Sequence, residues 1–210
     1  MTKRTKLMNP VDFFGEWAEI GKDIGMEKGH AKSVQFMIDK ILENKSNSFT
    51  FLDAGCGNGW VVRKMNDIEL CSYSAGLDGA KKMIEKAKTF DSDSDYFCSD
   101  LLDWIPNKKY DVIHSMEVFY YFVNPEKIIQ KIYDTWLNKS GILVFGVDHY
   151  KENKSAINWP HECGVFMNTL SIDDWNKIII DVGFKNITFW QIGKKNDWAG
   201  TLVFKAEKQH

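Results

Sequence analysis

The run Phe51-Leu52-Asp53-Ala54-Gly55-Cys56-Gly57-Asn58-Gly59 carries an apolar stretch into an acid and then sets three glycines at alternate positions. Glycine accepts positive φ and puts no Cβ between a backbone N–H and an approaching ligand, so this spacing predicts a strand-to-loop edge that grips a nucleoside-bearing cofactor. The dinucleotide fingerprint needs a glycine at position 60, where Trp60 stands. A phosphate-binding P-loop needs a lysine and a hydroxyl residue after its last glycine, and Trp60 and Val61 follow instead. Asp53, beside the loop, would repel a pyrophosphate in a partly desolvated pocket. A ligand with a positive part suits it better.

Two more acids stand at strand ends. Asp78 closes Tyr73-Ser74-Ala75-Gly76-Leu77 about 20 residues past the glycines, where a carboxylate takes ribose hydroxyls. Asp100 follows Asp95-Tyr96-Phe97-Cys98-Ser99 and precedes Leu101. The D-x-G-x-G-x-G pattern of Asp53, Gly55, Gly57 and Gly59 resembles motif I of the class I S-adenosylmethionine-dependent methyltransferases. That donor bears a sulfonium and an ammonium but no phosphate, so a fringe of carboxylates can hold it. The resemblance implies a cofactor site of Asp53, Gly55, Cys56, Gly57, Asp78 on the ribose, Gly79, Asp100 on the adenine amino group, Leu101 by its backbone, and Met116 near the methyl, with Met83 at a frequent family position. It also implies a lid that brings Trp17 over the cofactor, and S-adenosylhomocysteine as product.

The elements that must position these residues are legible as an alternation. Val34, Met37, Ile38, Ile41 and Leu42 recur at helical spacing ahead of a strand at Phe49 to Asp53. Trp60 to Met65 starts a helix after the glycine loop, and Ala80, Met83, Ile84 and Ala87 mark another. Val112-Ile113-His114 reads as the fourth strand. Asn124-Pro125 reads as an N-cap and first-turn proline, followed by the apolar face Ile128, Ile129, Ile132, Trp136 and Leu137, stopping near Gly141. The continuous apolar run Ile142 to Val147 fits a strand covered on both faces. Ser171 and Asp174 form a capping box, and Gly183 closes that helix. Ile187 to Ile192 and Thr201 to Lys205 read as a hairpin, by resemblance strands six and seven with the last inserted antiparallel. The expected fold is α/β, a doubly wound, mostly parallel seven-stranded sheet with helices on both faces and a C-terminal antiparallel hairpin. It forms one methyltransferase domain over 1–210, with 1–27 as tail and lid, 28–210 as the Rossmann-like core and 148–170 as an acceptor-site insertion.

The acceptor side offers three regions. Val11, Phe14, Trp17 and Ala18 share a helical face that serves as lid or as packing. Met116-Glu117-Val118-Phe119-Tyr120-Tyr121 lies by resemblance beside the transferred methyl, where Tyr120 or Tyr121 favours a cation. The long connection Asp148 to Asn168 holds Asp148, His149, Tyr150, His161, Glu162 and Cys163. His149 with Asp148, or His161 with Glu162, could take a proton from the acceptor, so His149, His161 and Tyr120 are the catalytic candidates. No ligand spacing compels a metal. Methyl transfer is a direct SN2 displacement that chiefly needs in-line placement and water exclusion, so a general base is optional.

The net charge of -2, with only Lys3, Arg4 and Lys6 locally basic, argues against a nucleic-acid partner. His114-Ser115-Met116-Glu117 lacks the N-P-P-Y-like residues of amine-methylating enzymes acting on bases or glutamine, and no cysteine stands there for cytosine chemistry. The expected acceptor is therefore a small molecule, methylated at O or N. No membrane span or signal peptide is evident and the four cysteines are scattered, so a cytoplasmic protein with reduced thiols is expected. A protein or RNA methyltransferase, a noncatalytic S-adenosylmethionine-binding module and a nucleotide-dependent oxidoreductase remain open alternatives.

Overall fold

Alternating apolar strands and amphipathic helices build one seven-stranded sheet in the order β3-β2-β1-β4-β5-β7-β6. The computed structural model describes residues 7–43 and 45–209, so the basic residues Lys3, Arg4 and Lys6 lie outside the described residues. Along the chain the elements are α1 (Pro10–Glu19), α2 (Asp23–Leu42), β1 (Phe49–Ala54), α3 (Trp60–Asn66), β2 (Cys71–Asp78), α4 (Lys81–Phe90), β3 (Asp95–Cys98) and β4 (Tyr110–Met116). They continue with α5 (Pro125–Lys131), β5 (Leu137–Val147), α6 (Trp159–Cys163), α7 (Ile172–Val182), β6 (Lys185–Ile192) and β7 (Thr201–Glu207). The pairs β1–β2, β1–β4, β2–β3 and β4–β5 are parallel. β7 runs antiparallel between β5 and β6, as expected.

Side chains alternate across each strand, and the two faces feed two cores. Leu52 and Ala54 of β1 face the cluster with Ile128, Ile129, Trp175 and Ile179 of α5 and α7. Phe49 and Phe51 face the other, with Val34, Met37, Ile38 and Ile41 of α2 and Val61 and Met65 of α3. By the same period Asp53 belongs to the α2 and α3 face, and so does His114, its register partner on β4. Two polar side chains thus meet inside an otherwise apolar layer.

Helix ends follow their local chemistry. Asn9 Oδ1 accepts from the Val11 N–H at 2.9 Å ahead of Pro10, and Ser171 with Asp174 forms the expected capping box. Asn124 makes no side-chain cap bond, so α5 starts on its proline alone. The helix does not run toward Gly141. Its last turn, Ile132 to Trp136, is π-helical, and β5 begins at Leu137, which pairs with Tyr110. Ser140, at φ 58°, takes up the irregularity before Val112 pairs with Ile142, so the glycine marks a bulge rather than a stop. Among the described residues no helix is long and apolar enough to cross a membrane.

Candidate active site

The carboxyl ends of β1, β2 and β4 open into a cavity of about 560 Å3. Asp53, Gly55, Cys56, Gly57, Asp78, Gly79, Asp100, Leu101 and Met116 all line it. Helix α1 roofs it with Val11 and Phe14, and Phe14 stands edge-on to Tyr121 with ring centroids 5.4 Å apart. The roof can approach because position 79 is glycine: a Cβ there would lie 2.8 Å from Val11 Cγ2.

The glycine loop works differently from its sequence reading. Its N–H groups are mostly engaged within the protein: Gly55 and Cys56 donate to the Leu77 carbonyl at 2.7 and 3.0 Å, Gly57 to Asp78 Oδ2 at 2.9 Å, and Gly59 to the Cys56 carbonyl at 2.9 Å. Glycine is required instead for conformation and close packing. Gly55 and Gly59 hold φ of 81° and 77°, and Cβ atoms there would fall 2.2 Å from Val118 Cγ2 and 2.5 Å from the Tyr96 ring. The loop is wedged between β2 and the segment after β4. Its opposite flank is fixed by Asn58, whose Nδ2 donates to buried Asp23 at 2.8 Å, while Arg63 caps the Asn58 carbonyl at 2.7 Å. Lys86 completes the Asp23 pairing at 2.7 Å.

The three sequence-selected acids differ in setting. Asp78 accepts from Gly57 and Ala80 N–H groups, the latter at 2.7 Å, yet its burial outweighs those bonds and raises its pKa. Asp53 meets His114 Nδ1 at 2.7 Å, with both side chains buried and the imidazole stacked on Phe51. Asp100 is exposed, and its Oδ1 accepts from the Leu102 N–H at 2.7 Å. Burial, then the charges of Asp78 and Asp53, pushes the Cys56 thiol up, so it stays protonated among these acids.

Beyond them lies a second polar group that the sequence did not single out. Glu117 follows β4 with a left-handed φ of 62°, a strained state for a side-chain-bearing residue. Its carboxylate holds that geometry by accepting from the Asp148 N–H and, at 2.7 Å, from Tyr120 Oη. Burial first, then Asp148, raises the Glu117 pKa well above its ordinary value. His30 of α2 faces Asp148 at 3.6 Å. Burial lowers the imidazole pKa and raises that of Asp148, and each partner opposes the other's shift.

Four expected site residues stand outside the cavity lining. Trp17 packs with Ala18, Ala80 and Met83 at the α1–α4 junction, one turn from the residues that do form the roof. Tyr120 is buried and acts behind Glu117, whereas its neighbour Tyr121 lines the cavity. His149 is fully buried, with one ring nitrogen on the Ala156 carbonyl at 2.9 Å and the other on Thr169 Oγ1 at 2.8 Å, so neither is left to take a substrate proton. His161 is exposed on α6. Of the expected acceptor-site insertion 148–170, no residue lines the cavity, and Asp148 reaches it only through His30 and Glu117. The rest buttresses its neighbours: the Met8 N–H donates to Gly164 O at 2.8 Å, Tyr150 Oη to Gly200 O at 3.0 Å, and the Asn168 N–H to Tyr120 O at 2.7 Å. The sequence named Glu117 only within a longer stretch, and Asp148 only as a partner for His149. Asp23, His30 and Asn58 carried no spacing signal, because their partners lie on other elements.

A family model described as a methyltransferase domain matches residues 25–188. The malonyl-[acyl-carrier protein] O-methyltransferase 2 of Ilyobacter polytropus is 26% identical over 155 residues, covering 69% of this chain and 60% of that protein. The chain thus spans about 60% of that relative's length. Among solved structures, a chain from the complex of the Haloferax volcanii Trm112 methyltransferase activator with a methyltransferase superposes with a TM-score of 0.80 at 23% identity, covering 94% of this chain and 98% of that one. The N-methyltransferase NodS of Bradyrhizobium japonicum, in complex with S-adenosyl-L-homocysteine, gives 0.63 at 16% identity, with coverages of 86% and 87%.

Proposed function

Because the chain belongs to the methyltransferase-domain family, of the class I S-adenosylmethionine-dependent type, we propose that it moves a methyl group from S-adenosylmethionine to a nucleophilic O or N of a small molecule by direct displacement. The observation that carries this reading is one cavity lined by Asp53, Asp78 and Asp100 at successive strand ends, whose basic lining residues, among the described residues, are His30 and Lys127. Such a site fits a cationic donor and is a poor cradle for phosphates. The donor supplies a methyl on a sulfonium that already carries its leaving group.

The chain's own residues bind, orient and exclude water. Asp78, fixed by two N–H groups, presents its remaining lone pairs to ribose hydroxyls. Asp53, held by His114, faces the positive end, and Asp100 with Leu101 flanks the adenine. Helix α1 with Phe14 and Tyr121 keeps water from the reacting atoms.

Calorimetric titration with S-adenosylhomocysteine and with NAD tests the reading. The first binds and the second does not, and Asp78→Ala weakens the first while leaving the fold intact. NAD binding in place of S-adenosylhomocysteine refutes it. A macromolecular acceptor served by an activator subunit is the second reading, favoured by the Haloferax complex. Methyl label from the donor then enters protein or RNA instead of the small-molecule fraction.

A further inference from the structure

We propose that His30, Glu117 and Asp148 form an ammonium subsite, so that the methyl acceptor is an amine rather than an alcohol or a carboxylate. This rests on the methyltransferase reading and names the substrate class of the same cavity.

The three side chains come from α2, the turn after β4 and the residue that follows β5, yet one ligand atom from each lies within 4.8 Å of the others. A tetrahedral ammonium with N–H···O bonds of about 2.8 Å separates its acceptors by about 4.6 Å. His30 and Glu117 face the cavity. Asp148 is 4% exposed, and its Oδ1, buried, has no hydrogen-bond partner. A buried carboxylate oxygen left unpaired is costly, by about 1–3 kcal/mol or more, and an arriving N–H donor removes that penalty.

Charge points the same way. Two carboxyl groups meet here with one imidazole. Burial keeps that imidazole from charging readily and drives both carboxyls upward, which describes a site short of positive charge. An anionic acceptor such as a malonyl carboxylate would face like charge. An ammonium supplies the counter-charge, and the Phe14 and Tyr121 rings that line the same cavity offer aromatic faces to a cation.

The chemistry balances within the site. The bound ammonium gives one N–H proton to the Asp148 carboxylate, whose Oδ1 has no other partner, which frees its nitrogen lone pair. That lone pair forms the N–CH3 bond as the S–CH3 bond breaks, and the bonding electrons leave on sulfur. The products are a methylated ammonium and the thioether S-adenosylhomocysteine.

The test uses three probes of one chain length: n-butylammonium chloride, n-butanol and sodium butanoate, each titrated into the protein saturated with S-adenosylhomocysteine. Manganese chloride forms a fourth arm, and all are read by calorimetry and thermal midpoint. The expected result is saturable binding of n-butylammonium alone, weakened about tenfold or more by Asp148→Asn and by His30→Gln. Both variants keep S-adenosylhomocysteine affinity, so a folding defect is visible. Failure of S-adenosylhomocysteine to bind overturns the methyltransferase reading and the proposal with it. With that ligand bound, three results overturn the ammonium subsite alone: no n-butylammonium binding, tighter butanoate binding, or manganese binding that depends on His30 and Asp148.

Discussion

Substituting Gly79 by alanine tests whether the closeness of α1 to the end of β2 matters for cofactor binding. The added Cβ falls 2.8 Å from Val11 Cγ2, with its other near neighbours at 3.9 Å. Carbon atoms pack best at about 3.5–4.0 Å, so one side must withdraw by about 0.7 Å. Gly79 is not in the left-handed region, so backbone strain adds nothing. Valine in a helix has essentially one χ1 rotamer, so relief comes from movement of α1 rather than of the methyl. Overpacking of this size costs about 1–3 kcal/mol. The α1–α4 contact includes the exposed pair Glu19–Lys82, which adds little resistance, so a cost of about 1–2 kcal/mol is expected. This corresponds to about a 5–30-fold loss of S-adenosylhomocysteine affinity. Val11→Ala deletes the clashing methyl, so Val11→Ala/Gly79→Ala should bind about as well as Val11→Ala alone, a coupling of about 1 kcal/mol or more. Wild-type affinity in Gly79→Ala refutes the reasoning. So does a double variant no better than Gly79→Ala, which would mean that the new methyl meets the cofactor itself.

Glu117 keeps in the folded state a proton that the unfolded chain releases near its ordinary 4.5, because burial and then Asp148 raise its pKa. Its share of stability is therefore greatest below about pH 4.5 and falls as pH rises toward its raised native value; Glu117→Gln should flatten the decline in thermal midpoint, and identical slopes would contradict the assignment. Asn58→Ala removes one bond to buried Asp23 and should cost about 1–3 kcal/mol in denaturant unfolding, with weaker S-adenosylhomocysteine binding from a loosened glycine loop; unchanged binding would show that α3 alone fixes the loop. His149→Ala should cost about 1–3 kcal/mol of stability while S-adenosylhomocysteine affinity stays at the wild-type value, and a selective loss of affinity would return His149 to the site.

The donor half of the cavity was legible because main-chain register places it. Asp53, Asp78 and Asp100 each close or follow a strand, and strands of one parallel sheet end on one side, so three acids at strand ends must share one edge. The glycines marked the right loop for an incomplete reason, since spacing reveals that a side chain is excluded without revealing by what. Val118 and Tyr96, which exclude it, stand many residues away. The acceptor half obeys no such register. His30, Glu117 and Asp148 lie on three elements and meet only through the packing of α2 over the ends of β4 and β5, which leaves no periodic trace. The histidines with the strongest sequence appeal, His149 and His161, sat beside carboxylates in sequence. Adjacent residues point to opposite sides of an extended segment and do not face each other on a helix such as α6, so chain neighbours are poor candidates for touching partners. His149 turned to Ala156 and Thr169, and its neighbour Asp148 turned to His30. The same packing that hid the acceptor group from the sequence sets Asp148 against His30 and Glu117, and a carboxylate buried there with one oxygen unpaired is what makes the charge of the acceptor a measurable question.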